Sequence, residues 1–562
     1  MAGQQAGVSI EDVSKSFTVR TGRQVQDVHV LDRVSLRVEP GEIIALTGLS
    51  GCGKTTLLRI LLGLERADSG RVLVDGAEVR GCGEDRSMVF QNAQLFPWRS
   101  ALENVEFGLE ARGVPKRERR RTALDKLELV GLAHAADRRP GQLSGGMQQR
   151  VGLARALSVD PAVLLMDEPF GALDAQTREG LQAEVLRIHQ ETGKTIVFVT
   201  HDLDEAVLLA DRVVLMAPNP GRIDEIFPVG IARPRTDLVT MRGLKEFSAK
   251  RYEIWRRLMA ARSRSPRPRR PPPASPLPGR STDMTITDQG RQGAHRPAES
   301  TRRRPPFHRR HRSGLITTGS IVVVLVFWEL TGRRMNPIFS SHPSAIVRKF
   351  GVQVKSGLLP EALLDSLQPL LLGFCAAALI GIPVGLLIGR YRAVDAALGV
   401  YVTAGYAMPL VALIPLFMLW FGLGFTVKVV IVVVMTVFPI VINTRAGVRA
   451  VPSSLIEVGT SFMASEFAVM RKIILPATVP HIMTGLRLGI GRAVIAIVIA
   501  EFFTAIGGLG GQIILAGQRF DTAGLFVPVT VLMVLGVGLT RLVGWLETRV
   551  APWGQAADAG RE

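Results

Sequence analysis

The segment from Gly48 to Thr55, GLSGCGKT, has the spacing G-x-x-x-x-G-K-[ST]. Glycines at these positions let backbone N–H groups turn inward around phosphate oxygens. Lys54 would bring positive charge to the terminal phosphates, and Thr55 would offer its hydroxyl to Mg²⁺. The motif predicts a nucleotide-phosphate site formed by Gly48, Leu49, Ser50, Gly51, Cys52, Gly53, Lys54, Thr55 and Thr56.

Two adjacent acids, Asp167 and Glu168, end the apolar run AVLLMDE. An acid at a strand end near a phosphate loop can hold Mg²⁺. A second acid beside it can orient or deprotonate an attacking water. The pattern therefore indicates a metal ligand at Asp167 and a general base at Glu168. The alternative is that Asp167 and Glu168 are two ordinary acidic residues at the start of a helix.

Two further segments have residue types that suit phosphate. Ser144, Gly145 and Gly146, in LSGGMQQR, would expose backbone N–H groups at a helix start. Because the chain already has its own phosphate loop, this second donor set suggests the nucleotide of a partner chain. His201 follows the apolar strand KTIVFVTHD, where it would sense the γ-phosphate. Taken singly, a glycine-rich turn and a surface histidine are the commoner interpretations.

The elements around these motifs alternate between strand and helix. Residues 8–20 and 34–48 are rich in alternating and β-branched residues, which favours strands. The phosphate loop and a segment with helical spacing, TTLLRILLGLE, follow directly. Two later apolar runs, 162–169 and 194–202, are typical of buried parallel strands. This order predicts an α/β domain over residues 1–262.

A basic segment separates this domain from the rest of the chain. Residues 263–312 are rich in Pro, Arg and Ser, which predicts a disordered linker. Much of the net charge of +19 lies here. Because an apolar run follows at once, we expect anionic membrane lipid as its partner and no nucleic acid. A linker that is merely solvated is an equally good interpretation.

Long apolar runs follow from residue 313 to residue 550, and a short tail, 551–562, ends the chain. Runs of roughly 20 residues are long enough to cross a hydrocarbon core, so we predict an all-α, multi-pass membrane domain. Basic residues are concentrated in the loops on the same side of the membrane as residues 1–262, which predicts that this side is the inner one. The loop before residue 367 is an exception. The six predicted spans are 315–331, 367–389, 396–420, 425–444, 484–504 and 525–544.

Together, these motifs resemble the ATPase of ABC transporters in order and spacing over nearly all of residues 8–240. The resemblance implies a catalytic base at Glu168, Mg²⁺ contacts at Asp167 and Gln91, and a γ-phosphate contact at His201. It also implies that Asp174 shapes a dimer interface and that Phe17 stacks on adenine. A buried core residue is the alternative for Phe17. The segments FQNAQLFPWRSALENV, DEPFGALDAQTR and APNPGRI resemble the nitrate, sulfonate and taurine branch of ABC importers.

The loop between the fourth and fifth spans is similar to the coupling loop of importer permeases, a short hairpin that docks on the ATPase. The residues that carry this resemblance are Glu457, Gly459, Leu475 and Pro476. Met463 stands where the family usually has Gly, which departs from the expected tight turn. An amphipathic surface helix is the alternative. For the charged residues inside the spans, Lys428 and Glu501 among them, interfacial or helix-packing roles are the expectation.

These observations predict an ATP-hydrolysing importer subunit in which ATPase and permease are fused. The resemblance implies ATP and Mg²⁺ as cofactors, a homodimer, and a separate extracytoplasmic solute-binding protein. The expected location is the cell membrane, with the ATPase domain in the cytoplasm. The solute would be small, an anion such as nitrate, sulfonate or taurine. The alternatives are an exporter half-transporter and a soluble ABC ATPase that acts on nucleic acid.

Overall fold

A computed structural model describes residues 7–21, 24–233, 235, 238–264, 307–504 and 507–554. The first half of the chain combines two sheets with helices, and the second half is helical. The strands are β1 (Val8–Thr21), β2 (Gln24–Val38), β3 (Ile43–Gly48), β4 (Ser69–Val74), β5 (Ala77–Glu78), β6 (Arg86–Val89), β7 (Val163–Asp167), β8 (Thr195–Val199), β9 (Arg212–Ala217) and β10 (Arg222–Pro228).

The larger sheet has the strand order β10-β9-β3-β8-β7-β6, and β9, β3, β8, β7 and β6 run parallel. Strands β3, β7 and β8 are buried along their whole length, because helices cover both faces of this sheet. The smaller sheet, β2-β1-β4-β5, is antiparallel. The apolar runs 162–169 and 194–202 thus form the buried parallel strands that the sequence predicts.

The single strand predicted over residues 34–48 is two strands, β2 and β3. A turn separates them, in which the Glu42 N–H donates to the Glu39 carbonyl at 3.1 Å. Gly41 in this turn has a φ of 74°, a conformation that favours glycine. The turn moves β3 from the antiparallel sheet into the parallel one, where it leads to the phosphate loop.

Helices complete the first half. In chain order they are α1 (Lys54–Leu62), α2 (Ala101–Ala111), α3 (Lys116–Leu129), α4 (Gly145–Ser158), α5 (Ala175–Thr192), α6 (Leu203–Leu209), α7 (Leu238–Arg242) and α8 (Lys245–Arg264). Helix α4 packs against α2, α3 and the edge strand β6. The predicted linker lies largely outside the described residues.

Eleven helices form the described part of the second half. They are α9 (Phe307–Gly332), α10 (Pro343–Lys355), α11 (Leu358–Arg390), α12 (Arg392–Ala407), α13 (Ile414–Phe421), α14 (Phe425–Ala450), α15 (Ser453–Ser461), α16 (Glu466–Val469), α17 (Leu475–Thr504), α18 (Gly508–Gln518) and α19 (Thr522–Val550). A π-helical segment, Met470–Ile474, joins α16 to α17 without a break.

By length and composition, four of the described helical stretches could cross a membrane, Leu358–Arg390, Phe425–Ala450, Glu466–Thr504 and Thr522–Val550. The segment predicted as the third span is a pair of helices bent by 90°, and it makes five spans if it counts as one. The first predicted span corresponds to a shorter apolar helix, Ile316–Gly332. The bend falls at Met408–Pro409, where proline has no N–H to continue the helix.

Small residues let the central membrane helices approach closely. Gly381, Gly385 and Gly389 recur at every fourth position of α11 and face α14. A Cβ added at Gly385 would come within 2.6 Å of the Thr444 side chain, so only glycine allows this distance between the helices. Helix α17 packs on the same α14, and these three helices form the centre of the membrane half.

One ion pair lies inside this helical core. Glu501 on α17 is 0% exposed. Its Oε1 accepts a hydrogen bond from the Ser366 hydroxyl at 2.7 Å and lies 3.7 Å from the Lys428 Nζ. Its Oε2 accepts from the Gly510 N–H at 2.7 Å. The carboxylate therefore ties the start of α18 to α11, α14 and α17, which is the helix-packing role expected for it.

Candidate ATP site and coupling interface

The parallel sheet brings the predicted catalytic residues to one edge. The carboxyl ends of parallel strands meet at the same edge, so the segments that follow β3, β6, β7 and β8 converge. These segments begin at Leu49, Phe90, Glu168 and Thr200. Residues more than a hundred positions apart in the chain therefore become neighbours.

The phosphate loop is wrapped tightly around the Lys54 side chain. The Lys54 Nζ donates to the Gly48 carbonyl at 2.9 Å and to the Leu49 carbonyl at 3.2 Å. Gly53 has a φ of 86°, and a Cβ there would also collide with the Leu31 side chain on β2. The glycine at this position is therefore required both by backbone conformation and by space.

The other residues of the predicted loop differ in their exposure. Ser50, Gly51 and Thr55 are exposed, and Leu49 and Thr56 are half-buried. Cys52 is fully buried, and burial raises the pKa of its thiol. Since a buried neutral thiol is unreactive, Cys52 supports the loop from behind.

Asp167 and Thr55 form the oxygen-donor pair expected of a Mg²⁺ site. The Thr55 hydroxyl donates to the Asp167 Oδ1 at 3.1 Å. Burial raises the pKa of Asp167, and the hydrogen bond from Thr55 opposes this. Within the described residues, no group of three or more His, Cys, Asp and Glu side chains could enclose a metal. Few protein oxygens fit Mg²⁺, which takes its other ligands from water and substrate phosphates.

Glu168 has two polar partners at the mouth of the site. The Gln91 Nε2 donates to the Glu168 Oε2 at 3.0 Å, and the His201 Nδ1 lies 3.4 Å from the same oxygen. Glu168 has a φ of 44°, an uncommon backbone conformation for a non-glycine residue. Its N–H donates to the Val199 carbonyl at 3.0 Å, which holds it there. Strain of this kind is concentrated at functional sites.

The second predicted phosphate site lies in the helical layer. Ser144 is the N-cap of α4, and its hydroxyl accepts from the Met147 N–H at 3.3 Å. A Cβ added at Gly146 would collide with the Thr177 side chain, whereas Gly145 faces open space. Ser144 and Gly145 are both exposed. The N-terminus of α4 is thus open to a ligand from outside this chain.

Asp174 and Phe17 occupy positions at the margin of the site. Asp174 is the N-cap of α5, where its Oδ1 accepts from the Thr177 N–H at 3.1 Å. Hydrogen bonding from the Thr177 side chain, and then from its N–H, lowers the pKa of Asp174. Phe17 lies on β1 and is half-buried, with the Lys15 Nζ 5.3 Å from its ring centre. Phe17 is therefore not a buried core residue, and adenine stacking stays a prediction.

The predicted coupling loop lies against the first half of the chain. The Arg59 Nη2 donates to the Glu457 Oε1 at 2.8 Å, across the boundary between the two halves. Gly459 needs its small size, because a Cβ there would come 2.5 Å from the Ile473 side chain. Met463 has a φ of 58°. The tight turn is therefore present, with Met in a backbone conformation that glycine adopts more readily.

Pro476 has a specific consequence for this loop. Leu475 and Pro476 are the first two residues of α17, and both are half-buried. Proline has no N–H to donate to the carbonyl four residues earlier, which is that of Lys472. The Trp98 indole N–H donates to the Lys472 carbonyl at 3.2 Å. The Lys472 carbonyl, to which Pro476 cannot donate, is therefore bonded by a residue of the first half of the chain.

Sequence reasoning missed the residues that fill this interface. Phe462 is buried, its ring 6.2 Å from that of Phe107 on α2. A Cβ at Gly108 would come 2.7 Å from the Phe462 ring, so Gly108 makes room for it. The Lys472 Nζ lies 3.0 Å from the Glu110 Oε1. The feature of the sequence that could have indicated this contact is a phenylalanine at the tip of a hairpin predicted to lie on the surface.

The segment between Gln91 and Trp98 connects the catalytic edge to this interface. Helix α4 fixes it through Arg155, whose guanidinium donates to the Ala93 carbonyl at 2.7 Å and to the Gln94 carbonyl at 3.0 Å. Arg155 is fully buried, and desolvation lowers its pKa to about 9. It therefore keeps its charge at neutral pH, and the segment has rigid support along one side.

Comparison with known proteins agrees with this geometry. Residues 31–171 match the family described as ABC transporter, and residues 381–552 match the family described as binding-protein-dependent transport system inner membrane component. An uncharacterised ABC transporter ATP-binding protein of Methanocaldococcus jannaschii is 52% identical over 228 residues, 41% of this chain and 84% of that protein. The chain belongs to the ABC transporter family.

Two relatives of this family carry more specific names. The taurine import ATP-binding protein TauB of Roseobacter denitrificans is 45% identical over 250 residues, 44% of this chain and 92% of that protein. The bicarbonate transport ATP-binding protein CmpC of Synechococcus elongatus is 47% identical over 231 residues, 41% of this chain and 34% of that protein. This ABC transporter chain is therefore an ATPase fused to a permease, a multi-pass membrane protein that couples ATP hydrolysis to transport.

Proposed function

We propose that this chain is one half of an importer that carries a small anion into the cytoplasm, with nitrate, sulfonates, taurine and bicarbonate as the candidate solutes. One observation carries the proposal. The permease hairpin around Glu457 docks on the ATPase at Arg59 and Trp98, and the segment before Trp98 begins at Gln91 beside Glu168. A single stretch of chain therefore joins the hydrolytic acid to the membrane domain.

Hydrolysis would take place at the edge of the parallel sheet. The loop amides and Lys54 would bind the phosphates of ATP. Thr55 and Asp167 would hold Mg²⁺, which neutralises charge on the β- and γ-phosphates when bound. Glu168 would accept a proton from the attacking water as that water adds to the γ-phosphorus, and ADP leaves. Gln91 and His201 would orient the Glu168 carboxylate.

The Gln91–Trp98 segment would transmit this event to the permease. Gln91 donates to the Glu168 carboxylate, and Trp98 donates to the Lys472 carbonyl. Since Arg155 and α4 support the segment between them, a shift at Gln91 would move Trp98 and α4 together. Such a shift would move α17, which begins at Leu475, and would alternate the membrane domain between inward and outward openings.

Two copies of the chain would complete the transporter. The N-terminus of α4 is exposed at Ser144 and Gly145. This leaves its N–H groups available to a nucleotide held by the phosphate loop of a second copy. In a homodimer, each ATP would lie between Lys54 of one protomer and Ser144 of its partner, with Asp174 at the dimer interface. A separate solute-binding protein would deliver the cargo from outside.

The homodimer is tested by mixing two defective chains. Lys54→Ala destroys the phosphate loop and Ser144→Arg destroys the signature, so each variant alone has two defective sites. A mixed dimer keeps one intact site, formed by Lys54 of one chain and Ser144 of the other. Coexpression with two affinity tags and tandem purification should therefore recover ATPase activity that neither variant shows alone. Normal hydrolysis by a strict monomer would contradict the proposal.

The solute is tested in the native cell. Deletion of the chain should abolish ATP-dependent uptake of one of four radiolabelled solutes, nitrate, taurine, an alkanesulfonate or bicarbonate. The Glu168→Gln variant should fail to restore uptake, and the wild-type chain should restore it. Unchanged uptake of all four solutes would reject the anion assignment, and enhanced retention of an exported compound would reject import.

A further inference from the structure

The inner end of the permease meets the ATPase at a second place, outside the hairpin around Glu457. Helix α19 ends at Val550, and the next residue, Ala551, is only 2% exposed. The Trp553 ring centre lies 6.4 Å from that of Trp98, and the Arg139 Cζ lies 5.9 Å from the Trp553 ring centre. Trp553 therefore sits between two residues of the ATPase half.

The same segment is packed against the start of α17. A Cβ added at Gly554 would come 3.1 Å from the Pro480 side chain, so the backbone at Gly554 lies close to that proline. The Gly554 N–H donates to the Ala551 carbonyl at 3.1 Å, which closes a turn around Trp553. Trp553 is thus presented by a compact turn, held against the membrane helices on its other side.

Arg139 is connected to the predicted phosphate site at Ser144. Its N–H donates to the Gln142 Oε1 at 2.9 Å. Gln148 on α4 donates from its Nε2 to the Pro140 carbonyl at 3.0 Å and to the Leu143 carbonyl at 3.2 Å. These bonds fix the whole loop from Arg139 to Leu143 on the first turn of α4. A displacement of Arg139 therefore moves the N-terminus of α4.

Trp98 meets both permease segments. Its indole N–H donates to the Lys472 carbonyl of the hairpin, and its ring is next to that of Trp553. The hairpin reaches the ATPase through Trp98 and the phosphate-loop helix α1, whereas Trp553 reaches it through Trp98 and the loop before α4. The two contacts thus lead toward the two different surfaces that would bind ATP.

We propose that Trp553 is a second coupling residue, through which the inner end of α19 positions the Arg139 loop and thereby Ser144 for the ATP of a partner chain. This inference rests on the proposed composite site. Helix α19 packs on α10, α17 and α18, so rearrangement of the membrane helices reaches Trp553 directly. Trp553 is a positioning residue, because it acts on ATP through Arg139 and Ser144 without touching the nucleotide.

The contact is tested first by cross-linking in the full chain. Exposed Cys375 and partly exposed Cys82 are replaced by serine, and buried Cys52 is kept. Arg139→Cys and Trp553→Cys are then joined by a dimaleimide that contains a cleavable disulfide. The two substitutions should raise the KM for ATP, and cross-linking should restore it, because the link ties the Arg139 loop to α19 in place of the Trp553 ring; reduction should raise the KM again. Failure to cross-link, or a KM that cross-linking leaves unchanged, would overturn the proposal.

The second test measures ATP hydrolysis by the full chain in lipid nanodiscs. Loss of an aromatic pair changes an equilibrium by about twofold to tenfold, so Trp553→Ala should raise the KM for ATP by that factor. Trp553→Phe should restore most of the affinity, since it keeps an aromatic ring. The matched control is Trp545→Ala, an exposed tryptophan on α19 shortly before Trp553, which should leave KM unchanged.

The outcomes separate this inference from the proposed function. A normal KM in Trp553→Ala, in protein that elutes as the wild type does, overturns the coupling role while composite ATP sites still stand. Failure of the mixed Lys54→Ala and Ser144→Arg dimer to recover activity overturns the composite site itself. An equal rise of KM in the Trp545→Ala control would show a general effect of the helix and would also overturn the role of Trp553.

Discussion

Two glutamates, one in each half of the chain, show how the surroundings of a carboxylate decide its use. Glu501 is fully enclosed, and hydrogen bonds from Ser366 and Gly510 and the charge of Lys428 surround it. Glu168 lies at an open edge, with the flexible side chains of Gln91 and His201 as its partners. The first carboxylate holds four helices together, and the second is free to meet a substrate.

The difference lies in what the partners can do. Backbone N–H groups and a buried hydroxyl cannot leave Glu501 without exposing unsatisfied polar groups in a dry interior. Gln91 and His201 can rotate toward solvent, so Glu168 can exchange them for a water molecule. An acid with fixed donors is structural, and an acid with replaceable donors beside a Mg²⁺ site can act as a base.

The largest effect is expected from Glu168→Gln. Loss of a general base slows reactions by about 10²–10⁴-fold, so ATP turnover should fall at least about 100-fold. ATP binding should persist, because the phosphate loop is unchanged. Turnover is measured by phosphate release and binding by a fluorescent ATP analogue. The control, Glu191→Gln on the exposed face of α5, should keep its activity, and near-normal turnover in Glu168→Gln would remove the catalytic assignment.

Glu501→Gln should act on stability. The substitution leaves the buried Lys428 charge beside a neutral side chain. This should lower the free energy of unfolding by about 1–3 kcal/mol or more. The midpoint of thermal unfolding in detergent should fall, and addition of Lys428→Met should restore part of it. Glu361→Gln, an exposed acid in the first turn of α11, is the matched control. An unchanged midpoint in Glu501→Gln would show that the buried pair does not hold the helices.

Phe462→Ala tests the docking contact between the two halves. With residues 1–283 and 284–562 expressed as two chains, the halves should copurify, because the interface holds them without the linker. Phe462 is a buried aromatic anchor, and truncation of such a residue typically costs about 2 kcal/mol or more. The Kd for the two halves should therefore rise roughly thirtyfold. Exposed Phe467 on the neighbouring helix α16 is the control, and its alanine variant should bind normally.

The smallest effect is expected at Glu457, whose ion pair with Arg59 is partly exposed to solvent. Such pairs contribute about 0.2–1 kcal/mol, so Glu457→Ala should weaken association of the two halves less than fivefold. The double exchange Glu457→Arg with Arg59→Glu should recover part of the loss. A larger loss of affinity than in Phe462→Ala would show that the ion pair contributes more to docking than Phe462 does, contrary to the expected order.

The helical core could be predicted only in part. Apolar length indicated the membrane helices from composition alone, and Pro409 lies where the third predicted span is bent by 90°. The partners of Glu501 could not be predicted, because Ser366 and Lys428 lie on other helices and hydropathy gives no helix–helix register. For the same reason, the sequence did not distinguish Glu501 from the other charged residues in the predicted spans.

By itself, the sequence determined that the first half is an ABC-type ATPase, and it predicted the roles of the site residues. Local motifs do this well, since the spacing of Gly48, Lys54 and Thr55 specifies a loop and the residues that follow it. The acids Asp167 and Glu168 were recognisable because an apolar strand ends at them. The tertiary structure decided which of these residues meet. The order of the parallel strands brings Gln91, Glu168 and His201 together, and no spacing along the chain contains that order.

The sequence predicted that the hairpin around Glu457 docks on the first half, but only the tertiary structure revealed which residues fill the interface. Trp98, Phe462 and Trp553 look like ordinary aromatic residues in the sequence, since each makes its contact with a segment more than three hundred residues away. Pro476 was recognisable as part of a resemblance, but its effect required the position of Trp98 beside the Lys472 carbonyl. Long-range contacts depend on how surfaces that fold separately pack against each other. Local sequence patterns do not predict which surfaces will meet.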